Sequence, residues 1–366
     1  MIGDPAPDTA RPRALAYAAK RAVSALWAWS RPLAGVAILA VLLWRLGTGP
    51  FLAGIRTIGV FPLVVAIAIG ALTTVCCAWR WSLVSAGLGL RLPMRTAVAA
   101  CYRAVFLNST LPGGVLGDVH RAVSHGKDAG DVGRGIRAVV WERTAGQAVQ
   151  LVLAVAVLAA FPSPVRGYLP AVLAVAVVGG LAAVLVVRAV PGRAESRWAT
   201  AIRTARSDIR DGLLSGGNGI RIAVASTVVV GGHLATFLVA AHTAGATAPL
   251  SRLIPLTLLA LLAMGVPANI GGFGPREGVA AWAFGAAGLT ATQGVTTAVV
   301  YGALVLAASL PGAAVLLASR VRVPAPVTAR AAAHAAAPVV AIAPSPALEL
   351  VPERAAELAP AASKVA

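Results

Sequence analysis

Acidic residues are scarce in this chain. Asp and Glu together number 13 among 366 residues against 31 Lys and Arg, all charged residues make up 12%, and aromatic residues contribute 5%. With 58% hydrophobic residues, this excludes an ordinary soluble domain, whose interior is too small to hide so much apolar surface. Cysteine is rare too. Cys76, Cys77 and Cys101 show no CxxC spacing and no neighbouring His, so they read as small buried side chains. Alternating strands of about ten residues are missing, which excludes a β-barrel. No Asp-x-Asp and no evident Ser-His-Asp grouping occurs, so no catalytic motif presents itself and no cofactor is called for. His120, His125, Asp128 and Asp131 are loosely spaced like metal ligands but read as a solvated cytoplasmic loop. The net charge of +18 does not indicate nucleic acid, because the basic residues lie between apolar runs and form no basic face.

What the chain has in abundance is apolar length. Its mean hydropathy is +0.82, and runs of about 20 apolar residues recur, the length needed to cross a roughly 30 Å hydrocarbon core. The fold class is all-α: a polytopic membrane protein with about six full spans plus two broken or re-entrant helical segments. The spans fall near 32–46, 59–79, 139–160, 168–187, 220–241 and 292–319, with shorter apolar pieces at 96–107, 253–266 and 278–289. Residues 1–30 form a basic N-terminal segment, 31–320 the membrane domain, and 321–366 an Ala/Pro-rich tail read as disordered. Within the domain, halves at about 50–188 and 219–320 flank a connection at 189–218, long enough for an amphipathic helix.

Lys and Arg orient the spans. The N-terminus holds five, the stretch Arg80–Arg137 eight, Arg188–Arg221 seven and the tail five; the alternate connections hold only Arg45, Arg56, Arg166 and Arg252. Both termini are therefore expected in the cytoplasm. Abundant Ala and a preference for Arg over Lys suggest a GC-rich bacterial genome, and hence a bacterial inner membrane.

The two broken segments are the informative feature. The piece at 96–107 is too short to cross and runs into Asn108-Ser109-Thr110-Leu111-Pro112-Gly113-Gly114, then Gly117 and Asp118. The piece at 253–266 runs into Pro267-Ala268-Asn269-Ile270-Gly271-Gly272-Phe273-Gly274-Pro275-Arg276-Glu277. Both breaks share Asn, Pro, a Gly-Gly pair, a third Gly and a following acid. Each half reads long span, short broken pair, long span, with the halves running oppositely. Interrupted helices at matching positions of inverted repeats point to a transporter site.

Three acids fall outside the termini and connections, each with an Arg close by: Asp118 with Arg121, Glu142 with Arg143, and Glu277 with Arg276. Charges at membrane depth require partners and usually face a polar pathway. Arg suits phosphate because its planar fork binds two oxygens. The expected site has Arg121, Arg143 and Arg276 contacting phosphate, the acids orienting them, and half-helix N-termini adding N–H donors. A pair snorkelling to the interface from a helix end is the alternative, above all for Glu142-Arg143.

These motifs resemble the flippase-like family typified by the transmembrane part of lysylphosphatidylglycerol synthases. The resemblance covers about residues 30–320 and is carried by Arg80-Trp81, Phe106-x-Asn108-x-x-Leu111-Pro112-Gly113-Gly114-x-x-Gly117-Asp118-x-x-Arg121, Glu142-Arg143 and Gly271-Gly272-Phe273-Gly274-x-Arg276-Glu277. It implies movement of aminoacylated phospholipids or polyprenyl-phosphate-linked sugars across the bilayer, with the substrate at these motifs. One position departs: the acid often found three residues after the Glu-Arg pair is Gly146 here. The soluble aminoacyl-transferase domain of the full synthases is not seen in the chain, so aminoacylation is not expected. The expected partners are the bilayer and a lipid with a phosphate headgroup. A membrane-embedded glycosyltransferase or its accessory subunit, and a scaffold recruiting envelope-synthesis enzymes, are the competing readings.

Overall fold

A computed structural model describes residues 36–112, 114–189, 197–266 and 273–321. The N-terminal segment, Gly113, Asn269, Gly271, Gly272 and the tail beyond 321 lie outside the described residues. By its internal contacts the chain divides into one unit ending at Ser319 and a second from Arg320 to Ala366; the cavity described below belongs wholly to the first.

Among the described residues every regular element is helical. Four helices are long and apolar enough to cross a membrane, or five if one bent pair counts as a span. That pair is α1 (Val36–Leu46) and α2 (Gly49–Arg56), bent by 94° where the first span was expected. The first half follows as α3 (Val60–Gly87), α4 (Met94–Thr110), α5 (Leu116–Asp128) and α6 (Val132–Ala160). The apolar α7 (Leu169–Ala189) leads to α8 (Arg197–Asp208), the helix expected in the connection. The second half is α9 (Asn218–Thr243), α10 (Leu250–Ala263), α11 (Pro275–Ala286) and α12 (Ala291–Val321).

The breaks have local causes. Leu111 is extended at φ −96°, ψ 149°, because the Pro112 ring disfavours helical backbone in the residue before it. Gly114 then takes φ +61°, which a side chain would resist. At 17 and 13 residues, α4 and α5 reach only about 26 and 20 Å and cannot span singly. They fold back on each other: a Cβ on Gly117 would stand 2.2 Å from the Ala104 carbonyl oxygen, and Asn108 meets Asp118. α4–α5 is thus an antiparallel helical hairpin. The second half repeats the order of the first: a long helix, two short ones and a long helix.

Position-by-position likeness supports the repeat. Gly135, fourth in α6, is where α6 approaches the Ala122 carbonyl of α5; a Cβ there would stand 2.8 Å from that oxygen. Gly294, fourth in α12, approaches α11 in the same way; a Cβ there would stand 2.3 Å from the Ala280 carbonyl oxygen. Asp118 and Glu277 are each the third residue of the second short helix. Small residues at such crossings let backbones touch, the usual means of association where lipid offers no hydrophobic contrast. A large apolar cluster holds the second half together around Phe237, Leu256, Phe284 and Tyr301. A smaller one surrounds Trp81 between α3, α4, α5 and α6.

Candidate functional site

The first break is closed by Asn108, in the last turn of α4. Its Oδ1 accepts the Gly117 N–H at 2.8 Å and its Nδ2 donates to Asp118 Oδ2 at 3.0 Å. One side chain thereby satisfies an N-terminal donor of α5 and aims the Asp118 carboxylate. At the second break Glu277 reaches back, and its Oε2 accepts the Gly274 N–H at 2.6 Å. Gly274 is at φ 137°, ψ −102°, a conformation for glycine alone. Both half-helices are therefore partly self-capped, and the N–H groups expected to serve an anion are in part already used.

The charged residues form a chain, and its pairing differs from neighbour-by-neighbour expectation. Glu142, 1% exposed, binds Arg80 of α3 and Arg121 of α5, not Arg143 beside it. Arg80 donates to Glu142 Oε1 from Nε at 2.8 Å and from Nη2, and its Nη1 reaches Ser226 Oγ at 3.0 Å. Arg121 donates from Nη2 to Glu142 Oε2 at 2.6 Å and from Nε to Asp118 Oδ1 at 2.9 Å. Arg143 turns instead to Asp118, at 2.7 Å, and its side chain is 47% exposed. The snorkelling alternative for Glu142 is overturned, since its carboxylate lies buried between helices. Arg80, counted above among the charges of a connection, is buried as well. So is His125, expected in a solvated loop: its ring meets the Trp81 edge with centroids 5.4 Å apart.

Aromatic rings support both arginine groups. The Arg121 guanidinium lies over Trp81 at 4.6 Å. In the second half Arg276 donates to Glu277 Oε1 at 2.8 and 2.5 Å and lies over Tyr301 at 5.0 Å and Phe273 at 5.5 Å. Tyr301 is the eleventh residue of α12, as Glu142 is of α6. The same place in each repeat thus receives the arginine of its hairpin, once with a carboxylate and once with a ring. Tyr301 Oη also meets His233 Nδ1 of α9 at 2.9 Å, a hydrogen bond between helices.

All of this surrounds one cavity of about 260 Å³. Asn108, Gly114, Asp118, Arg121, Glu142 and Arg143 reach it from the first half, and Arg276 from the second. Gly117, Gly274 and Glu277 stand behind this wall as supports; Pro112 makes the turn. Counting Glu277, bonded to Arg276, four arginines face three carboxylates, so the cavity carries one net positive charge. It lies along the middle of α6, α9 and α12. Sequence reading missed three contributors, Tyr301, Gln147 and Gln150, and had Arg80 only through the resemblance motif; all four line the cavity. The spacing of Arg143, Gln147 and Gln150 on one face of α6 was the available signal. Gly146 has a structural reason, since a Cβ there would come within 2.8 Å of Arg80 Nη1. Asp208 is a further departure: it is buried, and its Oδ2 accepts from Arg137 at 2.8 Å and Trp141 at 3.1 Å, tying the connection to α6.

Fold and site together define a multi-pass helical membrane protein with a charged cavity between two broken helices. The chain belongs to the family described as the lysylphosphatidylglycerol synthase TM region, whose profile matches residues 32–312. Comparison with curated proteins and with solved structures gives no match.

Proposed function

We propose that the protein is a carrier, not an enzyme, that moves a phosphate-bearing lipid headgroup across the bacterial inner membrane, with both termini in the cytoplasm. The observation that carries this reading is the half-exposed Arg143 guanidinium facing a net-positive cavity midway along the spans. Arg80, Arg121 and Arg276 spend their donors on carboxylates and rings and shape the wall. Arg143 bonds Asp118 through Nη2, leaving Nε and Nη1 without a partner among the described residues. An anion there gains charge-assisted hydrogen bonds in surroundings that screen poorly. Its acyl chains would leave between the helices into lipid, so that only the headgroup needs shelter.

The test is a lipid-scrambling assay with purified full-length protein in vesicles carrying fluorescent phosphatidylglycerol, compared with Arg143→Ala and Arg276→Ala. Losing a charged hydrogen bond to phosphate should slow translocation roughly tenfold to a hundredfold for Arg143→Ala. Equal rates for all three proteins would remove the assigned site. If no anionic or polyprenyl lipid moved, the carrier reading would fall.

A further inference from the structure

We infer that the cavity recognises a second, uncharged and hydroxyl-bearing part of the headgroup, and that it disfavours a cationic one; this rests on the phosphate reading above. Arg143, Gln147 and Gln150 stand at i, i+4 and i+7 on α6, and all three line the cavity. Seven residues at 1.5 Å each place Gln150 about 10 Å along the helix from Arg143, with Gln147 between them. Neither glutamine amide has a hydrogen-bond partner among the described residues. Gln147 lies beside Gly265, where a Cβ would approach its amide at 3.5 Å. Gln147 is exposed and Gln150 half-exposed where they line the cavity, so both amides are open to a headgroup lying along α6. Each offers both donors and an acceptor, which is what a hydroxyl needs. A phosphate on Arg143 whose ester substituent runs along α6 brings that substituent's hydroxyls to these amides. Glycerol and hexose both satisfy this chemistry.

A cationic substituent meets the opposite situation. Every carboxylate at the cavity is occupied by arginine: Asp118 by Arg121 and Arg143, Glu142 by Arg80 and Arg121, Glu277 by Arg276. Position 146, between Arg143 and Gln147, is glycine and supplies no carboxylate to the cavity. An ammonium there would find net positive charge and no free counter-ion.

Binding separates this inference from the carrier reading. Native mass spectrometry of the full-length protein in detergent would compete phosphatidic acid with phosphatidylglycerol, lysyl-phosphatidylglycerol and a hexosyl polyprenyl phosphate. Two amide hydrogen bonds should give phosphatidylglycerol or the hexosyl lipid about a tenfold advantage over phosphatidic acid, and whichever is tighter identifies the source of the hydroxyls. Lysyl-phosphatidylglycerol should bind more weakly than phosphatidylglycerol. In Gln147→Leu/Gln150→Leu the advantage over phosphatidic acid should fall to near one. Gln150→Glu should shift preference toward the lysyl lipid, which guards against misfolding of the double variant. Equal binding of phosphatidic acid and the hydroxyl lipids, survival of the preference in the double variant, or tightest binding of the lysyl lipid would each overturn the inference. Headgroup preference without translocation would refute the carrier and leave this inference standing, whereas no lipid binding would remove both.

Discussion

Glu142→Leu tests the charged core most directly. The substitution removes the carboxylate between Arg80 and Arg121, whose side chains are 5% and 3% exposed, so solvent screens little of the loss. Deleting one member of such a buried group costs about 3–5 kcal/mol, because the partners stay behind as uncompensated charges. Arg121 keeps Asp118 and Arg80 keeps Ser226 Oγ, which points to the lower end, about 3 kcal/mol. At about 2–4 °C per kcal/mol, the melting temperature should fall by roughly 6–12 °C. Adding Arg80→Met removes the orphaned charge and should recover much of the deficit, a coupling of about 1–3 kcal/mol. Thermal unfolding of wild type, both single variants and the double variant, followed by near-ultraviolet circular dichroism in one detergent, measures the cycle. The reasoning is refuted if Glu142→Leu melts with wild type, or if the double variant loses the sum of the two single losses.

Two further outcomes test the packing that positions the site. Gly117→Ala would drive a methyl into the Ala104 carbonyl and force α4 from α5, costing about 1–3 kcal/mol; it should be seen as a lower melting temperature, with Arg143 more reactive toward a guanidine-directed reagent. Asp208→Ala releases Arg137 and Trp141. Because Arg137 is 38% exposed the cost should be small, about 1 kcal/mol, and hydrogen exchange should rise over α8 while α6 keeps its protection.

The long spans and both breaks were legible because their causes are local. Apolar runs of bilayer length admit little but helix, and Pro112 with Gly114 stops a helix wherever it is placed. The order long helix, hairpin, long helix could likewise be read from the spacing of apolar runs. The pairing of charges could not. Along the chain Glu142 has Arg143 as its neighbour, yet successive helical residues point about 100° apart, so the two serve different partners. Arg80 lies 62 residues from Glu142, and nothing local links them.

Composition and punctuation therefore established a helical membrane protein with two interrupted helices carrying Asp118, Arg121, Arg276 and Glu277, since those features depend on backbone sterics and on apolar length. The meeting of both interruptions at one cavity, the burial of Arg80 against Glu142, the exposure of Arg143 and the uncommitted amides of Gln147 and Gln150 depend on how α3, α5, α6 and α12 cross. Those crossings are set by contacts between residues far apart in the chain, such as Arg80 with Glu142 and Ser226, and Gly232 against Thr73.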